Sequence, residues 1–278
     1  MAEDPRLASW PAMPLAVVVG AGAMGMAIAR RLGQQHRLIL AEKQDERLEA
    51  ATAALRSEGI RVLPVVCDVT QARAVHALAQ QVSSHGPMRT LAHVAGLSPS
   101  MADWRTIMTV NLVGPTRVAD ALLPLVTPGS AAIFIASLAA HIAAPDPKVM
   151  QVLDEPLEPG FLDALVEALG QEPSTQHSYH LSKAALVRLC QRRASAWGQR
   201  HARIVSLSPG LIATPMGALE FRNPFKYELL AKTPLQRQGG MPEIADAVEF
   251  LASDRASFIS GIDLLVDGGL NAASRFPT

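Results

Sequence analysis

Residues 15–25 read Leu-Ala-Val-Val-Val-Gly-Ala-Gly-Ala-Met-Gly, an aliphatic run that ends in three closely spaced glycines. The run predicts a buried strand, and the glycines predict a tight turn that opens a helix. Glycine allows the turn and lets the backbone approach a pyrophosphate, while the amino end of the helix offers N–H groups to phosphates. We therefore expect a dinucleotide site here, with Gly20, Gly22, Met24 and Gly25 in contact with the cofactor.

The same stretch has the length of a membrane span, because residues 10–29 carry no charge over 20 positions. Prolines and glycines interrupt it, and Glu3 and Asp4 precede it where a signal peptide needs positive charge. A strand, a turn and a helix explain the stretch better. We expect a soluble, cytoplasmic protein.

Composition excludes several classes of protein. Apolar residues make up 49% of the 278 residues, which is typical of a chain with a full hydrophobic core. The 25 basic and 25 acidic side chains balance, so we expect no nucleic-acid and no membrane partner. Cys67 and Cys190 match no disulfide or metal spacing, which fits a reducing compartment, and His177 and His180 lack further ligands, so no metal site is predicted.

Short aliphatic runs alternate with amphipathic stretches along the chain. Continuous apolar runs predict strands covered on both faces, and the alternation predicts right-handed crossovers and a parallel sheet. The predicted strands are residues 15–19, 37–41, 61–66, 90–94, 131–136, 202–207 and 262–266. The expected fold class is α/β: one Rossmann domain at residues 14–278, with a doubly wound seven-stranded parallel sheet and helices on both faces, after an N-terminal extension at 1–13.

Two segments break this alternation. Residues 144–176 contain five prolines around an amphipathic piece at 161–169, and carry seven carboxylates against one lysine. Residues 210–233 follow a predicted strand and are rich in apolar side chains. Both follow carboxyl ends of strands, where a doubly wound sheet binds its ligand. We interpret the first as an insertion near the active site and the second as a substrate-binding loop.

A carboxylate stands where an adenosine ribose would be bound. Glu42 ends the second predicted strand, 17 residues after Gly25, and can accept both ribose hydroxyls while repelling a 2′-phosphate. This favours NAD, whereas Lys43 keeps NADP possible; an exposed ion pair between the two is the alternative without function. Asp68 ends the third strand and is a candidate either for the adenine amino group or for the N-cap of a helix near Gln71.

Tyr179 and Lys183 lie four positions apart in Tyr-His-Leu-Ser-Lys. On a helix such residues share a face, so the phenol and the ammonium lie side by side. A nearby cation lowers the pKa of a tyrosine towards neutrality, as a general acid/base requires. The alternative is a chance pair, since Tyr-x-x-x-Lys is common on helix surfaces.

From about Leu15 to Leu270 the chain resembles the short-chain dehydrogenase/reductase (SDR) family. The resemblance rests on the order and spacing of several short motifs. They are the glycine turn, Asp68-Val69, Ala95-Gly96, Asn111 in Val-Asn-Leu-Val-Gly, Ser137 in Ile-Ala-Ser-Leu, Tyr179 to Lys183, Ser-Pro-Gly-Leu-Ile-Ala-Thr at 208–214 and Val-Asp-Gly-Gly at 266–269. The resemblance implies an oxidoreductase that transfers hydride between a nicotinamide dinucleotide and a secondary alcohol or ketone.

The same resemblance implies a role for each candidate. Tyr179 exchanges a proton with the substrate oxygen, and Ser137 orients that oxygen. Lys183 binds the nicotinamide ribose and depresses the tyrosine pKa, and Asn111 holds a water of a proton relay. Taken singly, Ser137 could instead cap a turn and Asn111 could be an amide at a helix kink. The implied cofactor contacts beyond the glycine turn and Glu42 are Asp68, Val69, Ala95, Gly96, Tyr179, Lys183, Ile212 and Thr214.

Three features depart from the family's pattern. The glycines lie closer together than usual, and His93-Val94-Ala95-Gly96 replaces a segment that usually contains an asparagine, whose amide helps to hold the central sheet. Ser137 and Tyr179 are 42 residues apart, far more than usual, although some bacterial members resembling hydroxysteroid dehydrogenases and carbonyl reductases carry insertions there. The acidic insertion could select against anionic substrates, be a solvated excursion, or modify a subunit interface. His141 could line the pocket or be a surface histidine.

The apolar loop favours an uncharged, bulky substrate such as a steroid, terpenoid or cyclic ketone, although its side chains could equally belong to the core. One alternative is a 3-oxoacyl-thioester reductase, which needs basic groups at the pocket mouth. A second is a non-catalytic NAD-binding sensor, and a third is an S-adenosylmethionine methyltransferase, which has no use for Tyr179. Because long helices pair in this family's oligomers, we expect a homo-oligomer, a dimer or tetramer, with the tetramer favoured.

Overall fold

The computed structural model describes residues 13–142, 145–221 and 223–276, so the predicted N-terminal extension lies, except for Met13, outside the described residues. Seven strands form one sheet: β1 (Leu15–Val19), β2 (Arg37–Glu42), β3 (Val62–Val66), β4 (Met88–His93), β5 (Val126–Ile135), β6 (Arg203–Pro209) and β7 (Asp263–Val266). All pairings are parallel, in the order β3-β2-β1-β4-β5-β6-β7. The predicted doubly wound, seven-stranded sheet is confirmed.

Helices cover both faces of this sheet. They are α1 (Ala23–Gly33), α2 (Asp45–Ser57), α3 (Ala72–Ser84), α4 (Trp104–Met108), α5 (Gly114–Leu122), α6 (Pro147–Leu153), α7 (Phe161–Leu169), α8 (Thr175–Gly198), α9 (Pro215–Glu220), α10 (Phe225–Lys232), α11 (Met241–Ala252) and α12 (Leu270–Arg275), with a π-helical segment at Thr109–Val113 and 3-10 turns at Leu123–Leu125, Leu138–His141 and Asp254–Ala256. Strand side chains alternate between two cores. Val17 and Val19 pack with α3, α5 and α8, whereas Ala16 and Val18 pack with α1, α2 and α11. Both faces are therefore buried, which explains the continuous apolar runs.

The strand order places the site. β2 and β3 lie on one side of β1, and β4 to β7 lie on the other. At such a reversal the crossovers diverge and leave a crevice at the carboxyl ends of the strands. The glycine turn follows β1 and Ala95-Gly96 follows β4, so both open into this crevice.

The start of β5 differs from the prediction, since the strand begins at Val126, five residues earlier than the apolar pattern indicates. Pro128 and Gly129 interrupt that pattern, and Gly129 has a φ of +83°. The pairing with β4 also shifts register between Met88 and Thr90. This irregular entry hides the first half of the strand from periodicity.

The insertion is a folded part of the domain. Its predicted amphipathic piece is α7, and α6 precedes it, starting at Pro147 behind the N-cap Asp146. The buried side chains of both helices form a third core with α4, the π-helical segment and α8: Trp104, Met108, Leu112, Val113, Val149, Leu153, Phe161, Leu165, Leu181 and Ala185. The insertion thus covers the side of α4 and α8 that faces away from the sheet.

Arginines of the neighbouring helices pair with four of the seven carboxylates of the insertion. The pairs are Asp154 with Arg188 and Arg192, Glu155 with Arg192, and Asp163 and Glu172 with Arg105, at N–O distances of 2.7 to 3.4 Å. The segment is therefore less acidic than its sequence suggests. Its composition is correspondingly a weak reason to exclude an anionic substrate.

Residues 210–233 contain two short helices where the sequence predicted a loop. α9 starts at Pro215, after an N-cap at Thr214, and α10 starts directly after Pro224. Proline is tolerated at such helix starts because its missing N–H has no helical partner there. Prolines that look like helix breakers in the sequence therefore begin helices here.

The uncharged N-terminal stretch forms secondary structure of the domain, since residues 15–19 are β1 and α1 begins at Ala23. In the described part of the chain, no helix is both long and apolar enough to cross a bilayer. Cys67 and Cys190 are buried free thiols.

Candidate active site

The glycine turn has the geometry that a dinucleotide needs. Gly20 has a φ of +104°, and a Cβ on it would lie 2.7 Å from the Ala95 nitrogen. A Cβ on Gly25 would lie 1.9 Å from the Gly20 carbonyl oxygen, so both positions require glycine. Gly22 is the N-cap of α1, where a Cβ would meet no described atom within 4 Å. Met24 lies half-buried in the first turn of α1, which has neither a side-chain cap nor an acidic residue, so the turn's N–H groups remain available to phosphates.

Glu42 is buried at the end of β2, with 8% of its surface exposed. Its Oε2 accepts the Ala21 N–H at 2.9 Å, and its Oε1 accepts the amides of Lys43 and Gln44 at 3.0 and 3.1 Å. These bonds fix the carboxylate against the glycine turn. The Arg47 guanidinium lies 3.6 Å from Oε1. Arg47 was not among the predicted cofactor contacts, and it lies in the first turn of α2, five residues after Glu42.

Lys43 is paired with Asp68, so the alternative of an ion pair between Lys43 and Glu42 is wrong. The Lys43 Nζ lies 2.9 Å from Asp68 Oδ2, and Oδ1 accepts the amide and hydroxyl of Thr70 at 3.0 and 2.7 Å. Although burial opposes ionisation, the bonds from Thr70 and Lys43 hold the pKa of Asp68 below its ordinary value. The alternative of an Asp68 N-cap is also wrong, because the N-cap of α3 is Gln71.

Ala95 and Gly96 lead from β4 into the centre of the site. Ala95 lies against Gly20 of the glycine turn. A Cβ on Gly96 would lie 3.3 Å from Asn111 Oδ1 and 3.4 Å from Lys183 Nζ. Gly96 therefore joins the predicted cofactor site to two predicted catalytic residues.

Lys183 is buried beside Tyr179, with 5% of its surface exposed. Its Nζ donates to the Ile135 carbonyl oxygen at 3.0 Å and lies 5.8 Å from the centroid of the Tyr179 ring. Burial lowers the pKa of Lys183 from 10.5 to about 8. The phenol and the ammonium thus share one face of α8, at the carboxyl end of β5.

Asn111 lies in the π-helical segment, where a widened turn often marks a functional position. Its Oδ1 accepts the Leu97 amide at 2.8 Å, and its Nδ2 donates to the Leu97 carbonyl at 3.0 Å and to Ser182 Oγ at 3.4 Å. Ser182 Oγ in turn donates to the Tyr179 carbonyl at 2.9 Å. These bonds join the π-helical segment to Leu97 and to α8, and the water relay stays a prediction.

Ser137 follows β5 and caps the 3-10 turn Leu138–His141. Its Oγ accepts the Ala139 amide at 3.2 Å, which leaves the hydroxyl hydrogen available to a ligand. The turn packs against α8 and so brings Ser137 near the helix that carries Tyr179 and Lys183. The insertion leaves after this turn and returns at the start of α8, which explains how the 41 residues between Ser137 and Tyr179 are accommodated.

The remaining predicted cofactor contacts, Val69, Ile212 and Thr214, follow the carboxyl ends of β3 and β6. The side chain of Val69 is directed at α5, because a Cβ on Gly114 would lie 2.6 Å from its Cγ2. Ile212 is buried and forms an isolated bridge with Gly239. Thr214 Oγ1 accepts the amide of residue 217 at 2.8 Å and retains its own hydrogen to donate.

An open, largely apolar pocket lies beneath α9 and α10. It is lined by Ala213, Thr214, Pro215, Ala218, Phe221, Tyr227, Leu230 and Gln238. The rings of Phe221 and Tyr227 meet edge-on, with centroids 5.2 Å apart. Met216, Leu219, Phe225 and Tyr227 are 37% to 61% exposed, so the alternative that these side chains belong to the core is wrong.

The histidines near the site differ from expectation. His141 Nε2 lies 2.7 Å from Asp263 Oδ2 and the imidazole is 20% exposed, so it is not a free surface residue, while its place in the pocket wall stays a prediction. Asp263 was not among the predicted site residues, and the sequence feature that could have identified it is an acidic residue within the aliphatic run at 262–266. His180 Nε2 receives a hydrogen bond from Gln176 at 2.6 Å. Across the described ranges, no group of three or more metal-ligating side chains occurs.

These residues fit a nicotinamide dinucleotide. The turn at Gly20 and Gly22 offers open backbone to a pyrophosphate, Glu42 stands beside it for a ribose, and Lys183 stands beside Gly96 for a second ribose. Because β1 and β4 are paired neighbours, the glycine turn and Gly96 follow adjacent strand ends. The arrangement can bind a dinucleotide and place a proton donor, Tyr179, at one end of it.

Comparisons with known proteins agree with this geometry. A sequence model of a family described as enoyl-(acyl carrier protein) reductase matches residues 20–158 and 164–271. The chain is 33% identical over 260 residues to a short-chain dehydrogenase/reductase, bsc3, of Alternaria brassicicola, covering 91% of this chain and 94% of the relative. It is 32% identical over 235 residues to a 3-alpha-hydroxysteroid dehydrogenase/carbonyl reductase of Comamonas testosteroni, covering 82% and 91%.

Solved structures show the same fold. The crystal structure of gox2181 superposes with a TM-score of 0.76 at 26% identity, covering 94% of this chain and 96% of that one. The two ranges that the family model matches include the glycine turn at 20–25 and residues 179–183. The chain belongs to the short-chain dehydrogenase/reductase family and is an oxidoreductase.

Proposed function

We propose that this protein transfers hydride between NAD(H) and a secondary alcohol or ketone. The observation that carries the proposal is the buried ammonium of Lys183, held by the Ile135 carbonyl beside the Tyr179 ring and next to Gly96. A buried cation is costly unless it has partners. One bond to a carbonyl leaves two N–H groups of Lys183 for the hydroxyls of a ribose.

The proposed chemistry divides among four side chains. When bound, the nicotinamide supplies or accepts the hydride. Tyr179 gives its phenolic proton to the substrate oxygen in reduction and takes it back in oxidation, and the charge of Lys183 favours the phenolate. The hydroxyl of Ser137 donates to the same oxygen and orients it. Asn111 holds a water that connects Lys183 to solvent.

The preferred cofactor in this proposal is NAD. The Glu42 carboxylate faces the glycine turn, where it would accept ribose hydroxyls and repel a 2′-phosphate. Lys43 is engaged by Asp68, which supports the same preference. Parallel fluorescence titrations with NADH and NADPH test it: tighter NADH binding is expected, and tighter NADPH binding would assign Lys43 or Arg47 to a 2′-phosphate.

The proposed substrate is uncharged and bulky, such as a steroid, a terpenoid or a cyclic ketone. Exposed apolar side chains on α9 and α10 and the edge-on pair of Phe221 and Tyr227 support this, because they offer an apolar wall beside Thr214. The name of the hydroxysteroid dehydrogenase relative agrees with it. A panel of cyclic ketones with NADH, read by loss of NADH absorbance, identifies the class.

A 3-oxoacyl-thioester reductase is the second candidate. The pairing of Asp154, Glu155, Asp163 and Glu172 with arginines favours it, because the insertion repels an anionic carrier less than its sequence suggests. An acetoacetyl thioester in the same panel separates the two. A higher kcat/KM for the thioester than for every cyclic ketone would select this candidate.

The exchange of Tyr179 for phenylalanine tests catalysis itself. We expect turnover to fall at least about a hundredfold, as for loss of a general acid, while NADH still binds. A binding-only sensor has no turnover to lose. NADH binding without reduction of any panel member by the wild-type protein would favour the sensor and contradict the proposal.

We also propose that the protein is a homo-oligomer in which the insertion changes the pairing surface. α6 and α7 occupy the outer side of α4 and α8, which the expected helix pairing would use. β7 is the outer strand of the sheet, and Phe258 and Ile262 before it are exposed. Light scattering at micromolar concentration should give a dimer or tetramer, and a monomer would refute this.

A further inference from the structure

The turn that carries Ser137 is tied to the far edge of the sheet. His141, the last residue of the 3-10 turn Leu138–His141, places Nε2 2.7 Å from Oδ2 of Asp263 at the start of β7. β6 lies between β5 and β7, so the contact reaches across a whole strand. It joins residues 122 positions apart in the chain.

The contact is formed in a buried setting. The side chain of Asp263 is 6% exposed, and its other oxygen, Oδ1, is buried without a hydrogen-bond partner among the described residues. The charge of this carboxylate also acts on the Cys190 thiol, whose pKa is raised by burial and, to a smaller extent, by Asp263. A buried carboxylate needs a donor, and His141 is the side chain that donates to it.

Ser137 and His141 are the two ends of one short unit. Ser137 Oγ accepts the Ala139 amide at 3.2 Å, and its carbonyl oxygen accepts the Ala140 amide at 2.9 Å. A single 3-10 turn has few bonds of its own and poor hydrogen-bond geometry. The direction in which the Ser137 hydroxyl points therefore depends on what holds the far end of the turn.

We propose that His141 and Asp263 are positioning residues that fix the Ser137 hydroxyl for the reaction, an assignment of roles that rests on the proposed function. Neither touches the reacting atoms. His141 anchors the turn to β7, and Asp263 holds the imidazole in place. Without the anchor, the turn loosens and the hydroxyl loses its fixed orientation towards the substrate oxygen.

Hydrogen–deuterium exchange tests the anchor without any substrate. His141→Leu removes the donor, whereas His141→Gln keeps an N–H near the position of Nε2. Faster exchange of the peptide spanning residues 136–142 is expected in His141→Leu, and near wild-type exchange in His141→Gln. Unchanged exchange in His141→Leu, or equal acceleration in both variants, would overturn the proposal.

Asp263→Ala and Asp263→Asn keep the proposal testable if His141→Leu does not fold. Alanine removes the acceptor of His141, whereas the asparagine oxygen can still accept from it, so exchange of the same peptide should be faster in Asp263→Ala than in Asp263→Asn. Circular dichroism confirms that each variant is folded before exchange is measured. Equal exchange of this peptide in folded Asp263→Ala and Asp263→Asn would contradict the anchor.

A double-mutant cycle with Ser137→Ala tests the catalytic consequence, using cyclohexanone and NADH. His141→Leu should lower kcat about tenfold when Ser137 is present, within the loss that a misplacement of about 1 Å causes. It should lower kcat no further in the Ser137→Ala protein, and the NADH dissociation constant should stay unchanged. Equal losses in both backgrounds would show a merely structural role. Absence of wild-type turnover would count against the proposed function, while the exchange result still decides the anchor.

Discussion

Exchange of His93 for leucine is expected to change how the stability of this protein depends on pH. His93 ends β4 with 1% of its surface exposed, and its ring stacks on Phe134 with centroids 5.4 Å apart. Its Nε2 is buried and has no hydrogen-bond partner in the described ranges. Burial, and to a smaller extent the nearby Lys183 ammonium, lower the pKa of His93 from 6.5 to about 3.

The size of the loss in stability follows from the difference between the pKa of His93 in the unfolded and in the folded protein. The unfolded chain binds a proton at His93 below about pH 6.5, whereas the folded protein does so only near pH 3. Protonation is thus penalised in the folded state, so the free energy of unfolding decreases as pH falls through this window. The free energy of unfolding falls by about 1.4 kcal/mol for each pH unit below about 6.5, so about 2 kcal/mol is lost between pH 7.5 and pH 5.

Urea unfolding at pH 7.5 and pH 5 measures this loss. The wild-type protein should lose about 2 kcal/mol more than His93→Leu over the interval. Phe134→Leu is the matched control, because it removes the stacked ring but keeps the imidazole, so its pH dependence should stay close to that of the wild type. Parallel pH dependence of the free energy of unfolding in wild type and His93→Leu would contradict this expectation, since it would mean that the imidazole is not held neutral by burial.

Three further results are expected. Glu42→Gln should weaken NADH binding about tenfold, as expected for loss of a charge-assisted bond, and bring the dissociation constants of NADH and NADPH closer together. Lys43→Met should change neither dissociation constant much. An unchanged NADH dissociation constant in Glu42→Gln would contradict the ribose contact. NADH affinity should fall as pH rises above about 8, where Lys183 loses its proton, and Lys183→Arg should flatten this fall; equal pH profiles would argue against a ribose contact. Leu165→Ala should destabilise the protein by about 2–5 kcal/mol in thermal or urea unfolding, because Leu165 is fully buried, and a loss under about 1 kcal/mol would show that the insertion is not part of the core.

Much of the fold is accessible to sequence reasoning because it depends on local pattern. β1 has the predicted bounds, Leu15–Val19, and α7 those of the amphipathic piece, Phe161–Leu169. The Tyr179–Lys183 pair lies on one helical face because positions four apart do so in any helix. The glycine turn follows from a similar local argument, since Gly20 and Gly25 are required by backbone geometry and close contact.

The remaining features depend on contacts that no local pattern contains. The partner of His141 is 122 positions away in the chain. Lys43 pairs with Asp68 because β2 and β3 are neighbours in the sheet, which brings the segments after both strands together. The charge of the insertion was overestimated because Arg188, on the helix packed against it, meets its carboxylates only in the folded protein.

Hydride transfer from the nicotinamide to the substrate carbon, with Tyr179 as the proton donor, is tested by following an isotope. The protein is incubated with NADH that carries deuterium at the transferred position and with a panel of cyclic ketones, and the alcohols are analysed by mass spectrometry. One deuterium on the carbinol carbon is expected with the wild-type protein, and at least about a hundredfold less product with Tyr179→Phe, although both bind NADH. Alcohol without deuterium, or equal product from Tyr179→Phe, would contradict it.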